Sequence, residues 1–395
     1  MAFRSLHLPL TAEQLRPLAP GEHLIQFSQG LTDEEYRSVA RLLADRPDVM
    51  LRAFGGYGRT IPDLEFLRFF PMVRRVSVDA LWGVLQSVDG LGHLSDELED
   101  LGIGALKPPF DLRRIERFRH LRVLRLEGPI RHAEVLSTLT GLESLLLRSV
   151  RLPDLSPLLP LENLRRLDLK LGGTPDVALL PRIGRLEELE IWRVRGLSDL
   201  TSIADLPHLR TLHLEALPQA TALPSLARLT QLRHVTLQSM RGITDLSPVA
   251  AAPALESLSL IQMEHLEPDD LRPLAGHPTL RRAHWNIGSL RKTYEAHDVL
   301  PLPPEPYGYD QWRAGVPYPD IRRAFSAALR IGLVERDGRM VVREGAGGRA
   351  IAADERTAAG ERTTAGERTA PDEPTAAGER MPGGDVAAEP PTGLG

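Results

Sequence analysis

The sequence predicts an α/β solenoid in which each repeat adds one strand to a parallel sheet and returns behind it through a short helical turn. Three observations carry this prediction. Apolar residues recur at the first, fourth and sixth places of a hexamer about every 22 residues, the places between them are mostly polar, and segments such as Asp-Leu-Ser-Pro stand between successive hexamers.

The tight copies are Leu121-Leu124-Leu126, Leu142-Leu145-Leu147, Leu164-Leu167-Leu169, Leu186-Leu189-Ile191, Leu209-Leu212-Leu214, Leu232-Val235-Leu237 and Leu255-Leu258-Leu260. Their first residues are 21, 22, 22, 23, 23 and 23 apart. Looser copies precede them at Val73-Val76-Val78 and Leu98-Leu101-Ile103 and follow at Leu280-Ala283-Trp285, which gives about ten stacked strands over residues 70–290. A constant phase over so many cycles marks a repeat architecture, because each unit buries its apolar face only against its neighbours. The last two apolar residues of a hexamer lie two apart, so they share the buried face of a strand while the residue between them faces the other way.

The returns follow from the remaining length. Segments Asp154-Leu155-Ser156-Pro157-Leu158, Asp199-Leu200-Thr201-Ser202-Ile203 and Asp245-Leu246-Ser247-Pro248-Val249 supply apolar residues to close the core from behind. A period of about 22 residues leaves room for a single turn of 3-10 or α-helix. Serine is expected to cap that turn, and proline loses nothing at its first position.

These hexamers and returns resemble the leucine-rich-repeat family, and the short Asp-Leu-Ser-Pro returns are most similar to its internalin-type branch. The resemblance covers about residues 70–290 and implies a curved parallel sheet whose concave face is available to hold another macromolecule. The chain departs from the family where many repeats carry an asparagine, three residues beyond the last strand leucine. It has Pro129, Val150, Gly172, Val194, Leu217, Met240 and Met263 there. Apolar packing is expected to replace the asparagine ladder, with Val150, Val194, Leu217, Met240 and Met263 buried, and the turn amides need other partners.

Four regions are expected. Residues 1–70 form an irregular N-terminal cap, with strands at Leu24–Phe27 and Met50–Ala53 and a helix that starts in a capping box at Thr32-Asp33-Glu34-Glu35 and runs to about Ala44. Residues 71–295 are the solenoid. Residues 296–345 are a small α+β segment: a stretch over 301–318 rich in proline and aromatic residues, a helix near Asp320–Ile331 and a hairpin about Asp337-Gly338. Residues 346–395 repeat a hexapeptide of the Glu-Arg-Thr-Ala-Ala-Gly type, contain no aromatic residue and are expected to be a disordered tail.

Composition narrows the function. The formal charge is −5, and residues 344–395, with ten acids against five arginines, account for all of it. The balanced remainder gives no electrostatic reason to expect a nucleic-acid partner. The absence of cysteine removes thiolate metal sites and thiol nucleophiles. No apolar run approaches the ~20 residues of a membrane span and the N-terminus has no leader pattern, so a cytoplasmic protein is expected. Nucleotide-binding, hydrolase and metalloprotease motifs are missing, and neither catalysis nor a cofactor is expected.

The candidate site lies on the sheet face opposite the leucines. One row of side chains alternates nearly in sign, from Arg74, Glu99, Arg122, Glu143, Arg165 and Glu187 to Arg210, Arg233, Glu256 and Arg281, and reads as a self-neutralising ladder. A less balanced patch comprises Arg166, Asp168, Glu187, Glu188, Glu190, Trp192, His213, Glu215 and His234. An exposed tryptophan among carboxylates and imidazoles suits the centre of a protein-binding face. A metal at Glu190, His213 and His234 is the weaker reading, since histidines scattered on a sheet are usually not ligands. The function expected is a protein-binding module, an adaptor, inhibitor or immunity-type factor. The alternative is a regulator whose helix and hairpin at 320–343 bind DNA or a signalling partner.

Overall fold

The computed structural model describes residues 2–54, 61–79, 85–106 and 108–302, together with two strands near residue 338. The chain divides into two units, Met1–Phe325 and Ser326–Gly395.

The first unit is built on a single parallel sheet of 13 strands. They are β1 (Ala2–Leu6), β2 (Glu22–Phe27), β3 (Met50–Ala53), β4 (Arg75–Val78), β5 (Asp100–Ile103), β7 (Val123–Glu127), β9 (Ser144–Arg148), β10 (Arg166–Lys170), β11 (Glu188–Trp192), β12 (Thr211–Glu215), β13 (His234–Gln238), β14 (Ser257–Ile261) and β15 (Arg282–Trp285). Two-residue strands β6 (Phe110–Asp111) and β8 (Ile130–Arg131) pair separately on the return side. Ten of the 13 fall within residues 70–290, the number that the hexamers predict. The 13 strands lie in the sheet in their sequence order, with only β6 and β8 left out, and the register aligns each hexamer with the next: Leu167 faces Leu189, and Leu189 faces Leu212.

The strand leucines are buried and form one continuous core with the return residues, including Leu155, Leu158, Leu200, Ile203, Leu246 and Val249. The returns are short 3-10 segments such as Ser156–Leu158 and Thr201–Asp205, and one turn of α-helix, α2 (Ser247–Ala250). Their caps differ from expectation. The serine side chains do not cap; instead the preceding aspartates, Asp154, Asp199 and Asp245, accept the amide hydrogens of Ser156, Thr201 and Ser247 at 2.7–2.8 Å. Asp176 does the same for Ala178. A carboxylate two residues ahead is within reach of the free amide, as in an Asx turn.

Val150, Val194, Leu217, Met240 and Met263 are buried, as expected, whereas Pro129 is exposed and Gly172 half-buried. The turn amides are satisfied by the backbone itself. Ser149, Leu171, Arg193, Ala216 and Ser239 adopt left-handed conformations with φ of 50–57°, and each donates its amide to the strand-end carbonyl of the next repeat at 2.7–2.9 Å. A ladder of strained residues thus replaces the ladder of asparagines.

At the N-terminal end, the predicted helix is present as α1 (Asp33–Leu43), with both hydrogen bonds of its capping box. The sheet extends one strand further than expected, because β1 places Arg4 on the core side, level with Ile25. Its guanidinium pairs with both oxygens of Glu22 at 3.0 and 2.6 Å and donates to the carbonyls of Gln14, Arg16 and Pro17. At the other end, α3 (Leu290–Val299) packs against the last return, and Trp285 donates its indole N–H to Thr293 and lies 4.3 Å from the His297 ring. The expected boundary at residue 295 therefore falls inside a helix.

In the second unit, β16 (Leu333–Arg336) and β17 (Arg339–Val342) pair antiparallel around residues 337–338, where the hairpin is expected. The proline- and aromatic-rich segment, the helix near Asp320–Ile331 and the tail at 346–395 lie outside the described residues.

Candidate functional site

Three rows of side chains leave the sheet on the side away from the core. The middle row runs Leu146, Asp168, Glu190, His213 and Thr236; the row ahead of it runs Ser144, Arg166, Glu188, Thr211 and His234; the row behind it runs Arg148, Lys170, Trp192, Glu215 and Gln238. In-register parallel pairing sets lateral neighbours ~4.8 Å apart, so the candidate residues of β10, β11 and β12 are brought together.

The alternating ladder at the strand entries neutralises itself as expected. Arg74 meets Glu99 at 2.9 Å, Arg122 meets Glu143 at 2.7 Å, and Glu187 is shared by Arg165 at 2.6 Å and Arg210 at 3.3 Å. Glu187 is therefore part of this ladder and stands apart from the patch. His234 is also displaced: it is level with Thr211 and Ser257, one row away from His213. Glu190, His213 and His234 do not converge, and no cluster able to hold a metal ion occurs among the described residues.

Within the patch, the bases are paired. Arg166 donates to Asp168 at 3.2 Å and to Glu188 at 2.8 Å, Lys170 meets Glu190 at 2.7 Å, and Arg148 lies 3.4 Å from Glu127. Glu215 has no such partner: the only basic group within 4 Å of it among the described residues is the Nε2 of His213, at 3.6 Å, which is charged only when the ring is protonated. The Nδ1 of the same ring is 3.9 Å from Glu190. Trp192 is half-buried rather than exposed, because the Arg148 guanidinium packs 5.5 Å from its ring centroid.

Four buried polar atoms on these adjacent strands make no hydrogen bond among the described residues: Arg148 Nε, Asp168 Oδ1, Trp192 Nε1 and His213 Nε2. Asp168 is only 4% exposed. Arg148 Nε and His213 Nε2 nevertheless face carboxylates, at 3.4 and 3.6 Å, whereas Asp168 Oδ1 and Trp192 Nε1 each cost on the order of 1–3 kcal/mol relative to a satisfied atom. Burial also moves the titrations. It pushes the carboxyls of Asp168 and Glu215 up, the latter helped by the negative charge of Glu190, and it drives the His213 imidazole toward its neutral form.

The patch read from the sequence omits Arg148 and Lys170, which account for its lower exposure and its smaller charge excess. Their signal was present. Counting two places beyond the central strand residue in successive hexamers puts Arg148, Lys170 and Trp192 side by side, as the register does.

No family model and no curated protein matches the chain. Among solved structures it is similar to an internalin from Listeria monocytogenes, at 18% identity over 67% of this chain and 74% of that one, with a TM-score of 0.46. An internalin C2 from the same organism is similar at 24% identity over 46% of this chain and 78% of that one, with a TM-score of 0.39. The chain's own repeat, in-register parallel strands and one-turn returns make its architecture a leucine-rich-repeat solenoid.

Proposed function

We propose that the chain is a non-enzymatic binding module that holds another protein against the open face of its sheet, with the centre of contact on β10, β11 and β12. The single observation that supports this reading is the concentration of buried polar atoms without hydrogen bonds on neighbouring strands. Such atoms are costly, and where they gather on the outer face of a sheet, a partner that displaces the side chains covering them can supply the missing bonds. Trp192 supplies apolar area with a free indole N–H, a combination that carries much of the energy in protein interfaces. The contact set proposed is Arg166, Asp168, Glu188, Glu190, Trp192, His213 and Glu215, with Glu187 and His234 at its margin.

An adaptor, an inhibitor and an immunity factor share this surface requirement, and the partner's identity separates them. The test is affinity capture from the native lysate with the full chain, run in parallel with Trp192→Ala and with Glu188→Gln/Glu190→Gln. The expected result is a partner retained by the unmodified chain and lost by both variants. Equal retention by all three would place the binding surface elsewhere.

A further inference from the structure

The charge pattern of the proposed binding face specifies the chemistry of its partner, an inference that rests on the binding-module reading and deepens it. The three bases of the patch each have a carboxylate within 3.4 Å: Arg148 has Glu127, Arg166 has Asp168 and Glu188, and Lys170 has Glu190. A partner carboxylate would therefore have to displace an existing ion pair. On the other side of the balance, Glu215 is half-buried beside Trp192 with only the His213 ring in ionic contact, and Asp168 Oδ1 accepts no hydrogen bond. Two cations act on Glu215 through space without an ion pair: Lys170, which is paired with Glu190, and Arg193, which is exposed on the turn after β11.

We propose that the partner presents an arginine side chain that docks against Glu215 and the edge of Trp192, next to Glu190 and His213. The geometry favours a guanidinium for three reasons. A planar cation can pair with a carboxylate while it lies against an indole. Its several N–H donors match a group of acceptors that includes Glu215 and, after a small shift of Arg166, Asp168 Oδ1. The indole N–H of Trp192 is buried and has no acceptor among the described residues, so a turn of the ring toward the docked chain would let the peptide carbonyl that comes with an arginine residue accept it. The site is also partly screened from water, so that an ion pair formed there is stronger than one on the exposed ladder.

The test uses the full chain and a hexa-arginine peptide, with hexa-citrulline and hexa-glutamate as controls. The readout is the part of the indole fluorescence change that disappears in Trp192→Phe. A saturable change with hexa-arginine and none with either control is expected. Glu215→Gln should weaken it about tenfold, Arg193→Ala should strengthen it by removing a competing cation, and Asp269→Asn on a distant return should leave it unaltered. The melting temperature of each variant verifies that it is folded, and Arg193→Ala gives a prediction of opposite sign should Glu215→Gln unfold.

A response to hexa-citrulline equal to that to hexa-arginine, indifference to both Glu215→Gln and Arg193→Ala, or no saturable response would overturn the proposal. These outcomes are separable from failure of the broader reading. A captured partner that depends on Trp192 but not on Glu215 leaves the binding face in place and removes only its assigned chemistry.

Discussion

Two stretches of one sheet, its N-terminal end and its middle, treat buried polar atoms in opposite ways. On β1–β4, Gln26 donates to Ser5 at 2.8 Å, Arg52 donates to Gln26 at 3.0 Å and to Asp79 at 2.9 Å, and Ser77 donates to the same carboxylate at 2.9 Å. Behind them Arg4 and Glu22 are buried and bonded to each other and to backbone carbonyls. On β9–β12, equivalent rows leave Arg148 Nε, Asp168 Oδ1, Trp192 Nε1 and His213 Nε2 without hydrogen bonds. Both regions share the parallel sheet, but their returns differ: a register shift interrupts β1–β2 and α1 joins β2 to β3, whereas β9–β12 are joined by short 3-10 turns, so side chains and returns both contribute to the difference. The first region is closed on itself, as an end of a solenoid has to be. The second leaves four such atoms without hydrogen bonds among the described residues, the feature on which the proposed binding face rests.

The largest effect that this contrast predicts is at the closed end. Arg4→Ala should lower the free energy of unfolding by ~3–5 kcal/mol, since it strands Glu22 in a buried position and removes the donors to three carbonyls. Chemical denaturation measures this directly, and a loss under ~1 kcal/mol would show that the end is not closed by that pair.

The core behind both regions is common, so the contrast should vanish there. Leu217→Ala is expected to cost ~2–4 kcal/mol, the usual range for a fully buried leucine, although it sits behind the open region. A near-neutral effect would mean that the turn which replaces the asparagine ladder is loosely packed.

A smaller, sign-specific effect comes from pH. The folded-state pKa values of Asp168 and Glu215 are raised by burial, so the folded chain binds protons before the unfolded one and is stabilised as pH falls through the raised values toward ~4. Glu22 behaves oppositely: its hydrogen bonds with Arg4 hold it below the ordinary range, and its contribution is present above ~4.3 and lost as pH falls through the folded value. Denaturation of Glu215→Gln and of the unmodified chain between pH 7 and ~4.5 should show the unmodified chain gaining relative to the variant on acidification. A relative loss would contradict the assigned cause. His213, driven toward neutrality by burial, works against the gain as it does in any variant that retains it, and the comparison of paired profiles removes most of its contribution.

Much of this was legible in the sequence, and what was not has physical reasons. Apolar periodicity located the ten central strands, and the spacing of Thr32 and Glu35 located α1 with its capping box. The ion-pair ladder from Arg74 to Glu256 followed from lateral pairing of one row. β1 escapes the pattern because its core position holds Arg4, a residue that breaks the apolar spacing and is accommodated only by partners 10–18 residues away. The left-handed ladder was unreadable in principle: Ser149, Leu171, Arg193, Ala216 and Ser239 share no side-chain chemistry, and their backbone is fixed by hydrogen bonds to the next repeat. For the candidate site, composition drew attention to β10–β12 but overstated the acidity and the exposure of Trp192. Both errors arise from Arg148 and Lys170, which enter only when rows are counted across repeats.

The central claim is that the incomplete region is a protein-binding face, and the most direct test is the affinity of a captured partner for the unmodified chain and for Trp192→Ala, measured with the melting temperature of both. The dissociation constant should rise by a factor that corresponds to ~2 kcal/mol or more, about thirtyfold, while the melting temperature shifts by only a few degrees. An unchanged affinity for Trp192→Ala and for Glu188→Gln/Glu190→Gln would contradict the claim, whatever the partner proves to be.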